Sequence, residues 1–152
     1  MSNVLNPVEL TSALIKCRSI TPTSAGSIDL IISYLEPMGF TCTKLDFGQG
    51  DEKVENLYAR FGSLEPNICF AGHVDVVPTG DEQSWSIDPF GGEIKKGKIW
   101  GRGAADMKSG IAAFIAAVSE FMETNKNLKD YGSISFIITS DEEGKAINGT
   151  KK

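Results

Sequence analysis

Histidine is almost missing from this 152-residue chain; the single one is His73. A metal site here would therefore have to lean on carboxylates. Cysteine is sparse too. Cys17, Cys42 and Cys69 lie far apart and form no Cys-x-x-Cys pair. An odd, scattered count argues against a disulfide frame and fits reduced thiols in the cytoplasm, each read as a small core residue. Basic residues are outnumbered, 15 against 20, so the net charge is 15 − 20 = −5. That argues against a nucleic-acid backbone or an anionic membrane as partner. The longest apolar run, Ile111 to Val118, is too short to span a bilayer. The N-terminus lacks the basic, apolar, small-residue order of a secretory signal. These absences predict a cytoplasmic protein whose main partner is neither a nucleic acid nor a membrane.

What is present reads as one α/β domain. Asn6-Pro7 signals a helix start, since Asn6 can cap and proline suits the first helical position. Leu10, Leu14 and Cys17 follow at helical spacing. After the break at Thr21-Pro22-Thr23, a second helix carries Ile28, Ile31, Ile32 and Leu35, and Pro37 and Gly39 end it. Phe40 to Phe47 reads as a near-edge strand. Asn56 to Phe61 is a clearer one, with Leu57, Ala59 and Phe61 inward. Ile68 to Ala71 is uniformly apolar, as expected of a strand covered on both faces. The long loop from Pro78 to Gly92 holds Trp85, Pro89 and Phe90; its aromatics either pack over a site or pin the loop to the core. Glu93 to Trp100 predicts a hairpin turning at Lys96-Gly97. Lys108 to Met122 predicts a helix with Ile111, Phe114, Ile115, Val118 and Met122 buried, and Ser133 to Thr139 a last strand. Strands separated by helices imply a mixed, mostly parallel sheet flanked by helices.

Acidic residues gather where such a sheet binds ligands, beyond the carboxyl ends of its strands. His73 closes one apolar run and Asp75 follows two residues on, where an extended backbone turns both to one side. A carboxylate so placed can take the second ring N–H of a ligating histidine. Glu142 and Glu143 follow another apolar run. One can ligate a cation while the other takes a proton from water, the division that metal-assisted hydrolysis requires. The bland alternative is a solvated acidic loop. Asp106 sits where a helix begins, so it could be only an N-cap. The glycines before it, Gly101 and Gly103, suggest unusual backbone geometry instead. The same stretch begins like a dinucleotide fingerprint, but aspartate replaces the third glycine and would repel a phosphate. Asn148-Gly149-Thr150 matches a glycosylation acceptor and is read as a turn.

Phe70-Ala71-Gly72-His73-Val74-Asp75-Val76-Val77-Pro78, then Trp100-Gly101-Arg102-Gly103-Ala104-Ala105-Asp106-Met107-Lys108, then Ile138-Thr139-Ser140-Asp141-Glu142-Glu143-Gly144 resemble the M20 metallopeptidase and deacylase family in order and spacing. The resemblance implies a zinc-dependent exopeptidase-like catalytic domain and an amide hydrolase acting on a small molecule. It implies two Zn²⁺ ions, for which Co²⁺ can substitute. His73 would ligate the first metal, Asp106 would bridge both, and Glu143 would ligate the second. Glu142 would be the general base, and Asp75 would orient His73. A cis peptide after Asp106 is implied in the same way. Residues 1–152 would be the N-terminal part of the catalytic domain. The rest of that domain, with two further metal ligands, and a lid domain that forms the homodimer would lie outside it. The alternatives are a different deacylase or peptidase of the family, or a non-catalytic metal-binding domain.

Overall fold

A computed structural model describes residues 4–152. Nine main elements run in the order α1 (Pro7–Lys16), α2 (Ser27–Leu35), β1 (Thr41–Phe47), β2 (Val54–Phe61), β3 (Asn67–His73), β4 (Glu93–Lys95), β5 (Lys98–Trp100), α3 (Ser109–Thr124) and β6 (Ser133–Thr139). The boundaries follow local chemistry. Asn6 caps α1 by accepting the Val8 amide at 2.9 Å. A 3₁₀ turn, Glu36–Met38, continues α2 and stops at Gly39, which takes φ +90°, a value glycine reaches without steric cost. Lys96 (φ 51°) and Gly97 (φ 71°) turn the β4–β5 hairpin as expected, since two positive φ values suit a tight two-residue turn.

Four strands form one sheet in the order β1-β2-β6-β3. It is mixed, but of its three pairings only β3 with β6 is parallel; β1–β2 and β2–β6 are antiparallel. Mostly parallel pairing was expected from strands alternating with helices. The short connection between β1 and β2 and the entry of β6 between β2 and β3 give the other polarity instead.

The register sets one apolar row across the sheet: Cys42 opposite Ala59, Ala59 opposite Phe136, Phe136 opposite Phe70. All three helices pack on that face. Leu10, Leu14, Ile28, Ile31, Leu35, Ile111 and Ile115 join Leu57, Ala59, Phe136 and Ile138 in a single core. Phe136 is at its centre, with ring centroids of Phe40, Phe114 and Phe70 at 5.4, 5.3 and 6.2 Å.

β3 departs from expectation. It is an edge strand of the described sheet and is covered on one face only. Phe70 stacks on Phe114 of α3, while Cys69 and Ala71 face outward and Ile68 is 62% exposed. Apolarity on both faces signals burial, and the 152-residue chain supplies a helical layer to just one. All three cysteines are free, as expected, but their placement differs: Cys17 and Cys42 are half-buried, and Cys69 is exposed rather than a core residue. No helix of the described residues is long and apolar enough to cross a membrane.

Candidate metal centre

His73 is the last residue of β3 and pairs in register with Thr139, the last residue of β6. The two parallel strands therefore deliver His73 and the Asp141-Glu142-Glu143 turn to the same end of the sheet. The segment after His73 is held from several sides. The Val74 amide donates to the Thr139 carbonyl (2.9 Å), and Ser19 Oγ donates to the Val74 carbonyl (2.6 Å). The Val76 amide donates to the Ser19 carbonyl at 2.9 Å. Val74 and Asp75 are wholly buried.

Asp75 does more than the sequence suggests. Its carboxylate accepts the Glu142 amide at 3.1 and 3.2 Å and the Glu143 amide at 2.9 Å. It therefore fixes the backbone of both glutamates as well as the imidazole. His73 Nδ1 lies 3.0 Å from the Asp75 carbonyl oxygen and 3.5 Å from its Oδ1. That leaves Nε2 facing 3.2 Å from Asp106 Oδ1 and 3.8 Å from Glu142 Oε2. Hydrogen bonding to Asp75 pushes the His73 pKa up to about 9 against the opposing effect of burial. Burial works to raise the Asp75 carboxyl, but the hydrogen bonds from His73 and the two amides outweigh it and hold Asp75 below its ordinary range. Glu143 is raised, first by partial burial and then by the neighbouring Asp106 and Glu142 carboxylates.

Asp106 arrives from the turn Ala104–Lys108, between the β4–β5 hairpin and α3. Its backbone is extended (φ −126°, ψ 101°), and α3 begins only at Ser109, so it is not the N-cap. The Asp106–Met107 peptide is cis, as the family resemblance implied. Gly103 (φ +76°) opens the turn, and a Cβ there would collide with Val76. The hairpin that leads into this stretch, in place of a parallel strand, agrees with rejecting a dinucleotide site.

Ligand atoms of His73, Asp106 and Glu143 all lie within 4.8 Å of one another. One imidazole nitrogen and two carboxylates are the donors a divalent cation of the zinc type takes. The crowded carboxylates, one with its pKa raised by burial and then by its acidic neighbours, are a negative charge that such a cation would neutralise. The donor set fits a metal. Beside it lies a cleft of about 310 Å³ lined by Val77, Arg102, Ala105, Asp106 and Glu143 among others.

A model of peptidase family M20/M25/M40 matches residues 69–152, more than half of the chain and the part that holds all of these groups. The chain belongs to this family. It is 57% identical to succinyl-diaminopimelate desuccinylase of Rhodospirillum centenum over 97% of the chain and 38% of that protein. It is 53% identical to the same-named protein of Caulobacter vibrioides over 97% of the chain and 36% of that protein. The chain thus spans little more than a third of the length of these curated relatives. Among solved structures it resembles human carnosine dipeptidase 1, with a TM-score of 0.78 and 26% identity over 93% of the chain and 33% of that protein. The fold is also that of the M20 family metallo-carboxypeptidase Sso-CP2 from Sulfolobus solfataricus, with a TM-score of 0.69 at 22% identity over 93% of the chain and 31% of that protein. The family brings a divalent metal with it, in agreement with the His73, Asp106 and Glu143 cluster.

Three residues were missed or under-read from sequence. Asp141, buried, accepts the amides of Ala146, Ile147 and Asn148 at 3.0–3.1 Å and shapes the loop behind Glu142 and Glu143. Lys108 is fully buried; burial draws its pKa down to about 8. Asn148, within the acceptor-like triplet, is buried and donates to the Glu52 carbonyl at 3.0 Å. The long loop proves to be pinned by its own aromatics. Phe90 is buried under the Arg18 guanidinium (4.7 Å), Trp85 Nε1 donates to the Thr79 carbonyl (3.0 Å), and Arg102 lies over the Trp85 ring (5.3 Å).

Proposed function

We propose that this chain is the N-terminal part of the catalytic domain of a two-zinc amide hydrolase, in which Co²⁺ can replace Zn²⁺. Its reaction is that of a succinyl-diaminopimelate desuccinylase: N-succinyl-LL-2,6-diaminopimelate and water give succinate and LL-2,6-diaminopimelate, a step towards lysine and cell-wall diaminopimelate. The observation that carries the reading is the convergence of His73, Asp106 and Glu143 within 4.8 Å, with Glu142 Oε2 3.8 Å from His73 Nε2. The relatives' names at 53–57% identity favour the succinylated substrate over other acyl amino acids and dipeptides.

In this reading His73 would hold the first metal, Glu143 the second, and Asp106 would serve both. The chemistry such cations would supply when bound is polarisation of the amide carbonyl and a lowered pKa for the attacking water. Glu142 takes a proton from that water as its oxygen bonds to the acyl carbon, then passes it to the departing amine. Asp75 keeps the imidazole in one tautomer and holds the Glu142 and Glu143 backbone in place. The remaining metal ligands, the rest of the catalytic domain and a lid domain that joins two subunits belong to chain beyond these residues, consistent with the 36–38% of the relatives' length that is spanned. The intact protein works in the cytoplasm.

The test is a substrate panel on the intact protein that carries this chain. N-succinyl-LL-2,6-diaminopimelate should be hydrolysed with a kcat/KM at least about 10²-fold above N-acetylornithine and carnosine, as expected when a site pairs with a buried polar group of its substrate. Preference for either competitor would reassign the substrate within the family. Metal uptake with no hydrolysis of any of the three would favour a metal-binding domain.

A further inference from the structure

Asp106 is the least supported of the candidate ligands. Its side chain is 77% exposed, and its backbone lies outside the regular helix that follows. Packing around the carboxylate therefore cannot hold it; its place depends on the turn that carries it. That turn is fastened at two points. Met107 rests on β3 beside His73: a Cβ added at Gly72 would lie 3.2 Å from Met107 Cε. Lys108 runs the other way, into the core. It has no exposed surface, and its Nζ donates to the Leu14 carbonyl at 2.9 Å and the Cys17 carbonyl at 2.8 Å. Those carbonyls lie at the C-terminal end of α1, where a helix leaves backbone acceptors unsatisfied and carries partial negative charge. The backbone of Lys108 closes the turn as well, its amide donating to the Gly103 carbonyl at 3.0 Å.

Burying an ammonium group is costly unless it is fully hydrogen-bonded. An apolar side chain of similar length would fill the same space without that cost. It would not seek out two carbonyls, so the turn would lose its fixed distance to α1. We propose that Lys108 is a positioning residue for Asp106: its buried ammonium ties the Ala104–Lys108 turn to the end of α1 and so sets the Asp106 carboxylate opposite His73 and Glu143. The inference rests on the metal-centre reading above.

The experiment is Lys108→Met in the intact protein, with Co²⁺ as probe. Affinity is measured by competition with a chromophoric chelator, and ligand geometry by the visible absorption of the Co²⁺ form. The expected result is a loss of about tenfold or more in Co²⁺ affinity and altered absorption bands, with the far-ultraviolet circular dichroism unchanged. Ile115→Val, a small cavity in α3, is the control: it should lower the melting temperature and leave affinity and spectrum alone. Lys108→Met with an affinity within about twofold of wild type and an unaltered spectrum would overturn the proposal. Should that variant fail to fold, Lys108→Gln, which keeps a polar donor group but is shorter and uncharged, carries the same expectation and the same overturning result. Wild-type protein without saturable Co²⁺ binding would sink the metal-centre reading itself, and this inference with it.

Discussion

The buried Asp75 offers a direct check, because His73 is the only imidazole in the chain and its ring signals need no assignment. In metal-free protein His73 should titrate near pH 9, well above its ordinary 6.5, with the hydrogen bond to Asp75 as the largest cause. Asp75→Asn keeps the shape and removes the charge. The His73 pKa should then fall by about one unit or more, since the Coulomb and charged hydrogen-bond effects both go. Stability should follow. The folded-state pKa of His73 lies above the unfolded value, so its contribution is full below about pH 6.5 and is lost as pH rises towards about 9. At one unit per 1.36 kcal/mol this contribution is no more than about 3–4 kcal/mol. Asp75→Asn should also weaken the bonds from the Glu142 and Glu143 amides and set an amide NH₂ against them. A cost of about 2–4 kcal/mol follows, or roughly 4–16 °C in melting temperature for a chain of this size. The assay is a proton NMR titration of chelator-treated wild type and variant, with thermal melts at pH 6 and pH 9.5. An unchanged His73 pKa in Asp75→Asn would refute the reasoning, as would a wild-type stability that does not fall relative to the variant as pH is raised.

Other outcomes are expected. In the intact protein, Glu142→Gln should leave metal content near that of wild type and lower turnover by at least about 10²-fold; near-normal turnover removes Glu142 from the proton-transfer role. Phe136→Ala opens a cavity among three aromatic rings and should cost about 3–5 kcal/mol in urea unfolding, and a loss below about 1 kcal/mol would show that the ring is not central to the core. The isolated 152-residue chain should self-associate through the uncovered edge of β3, where Ile68 is 62% exposed, and Ile68→Lys should shift sedimentation towards monomer; equal association by both proteins would place the contact elsewhere.

The elements were legible where one physical cause decided them. Asn6 and Pro7 announced α1, Lys96-Gly97 announced the hairpin, and the period of Ile111, Ile115 and Val118 announced α3. Pairing was not legible. The run Ile68 to Ala71 is apolar whether one face or two are covered, and composition cannot say which layers a given length of chain supplies. Strand polarity was hidden for a related reason. The order β1-β2-β6-β3 inserts the last strand beside β2, and no local signal marks a partner about 80 residues away.

The site divides along the same line. His73, Asp106, Glu142 and Glu143 could be picked out because each ends or follows a strand or comes shortly before a helix, and the structure brings them to one end of the sheet. What holds them there escaped notice, because each support bonds to backbone groups, near in sequence for Asp141 and far for Asp75 and Lys108. Asp75 was read as a partner of His73 and turns out also to clasp two amides 67 and 68 residues away. Lys108 looked like the start of a helix face and instead reaches two carbonyls more than 90 residues back. Asp141 looked like one more charge in an acidic triplet and is a buried acceptor for three amides. A backbone amide or carbonyl carries no side-chain identity, so a sequence pattern cannot show which one a charged residue will meet. A buried charge is nonetheless expensive, and one placed beside the candidate metal-binding carboxylates has a reason to be there. In this chain His73 and the carboxylates of Asp106, Glu142 and Glu143 are the candidates for chemistry, and the buried Asp75, Lys108 and Asp141 hold the backbone from which they project.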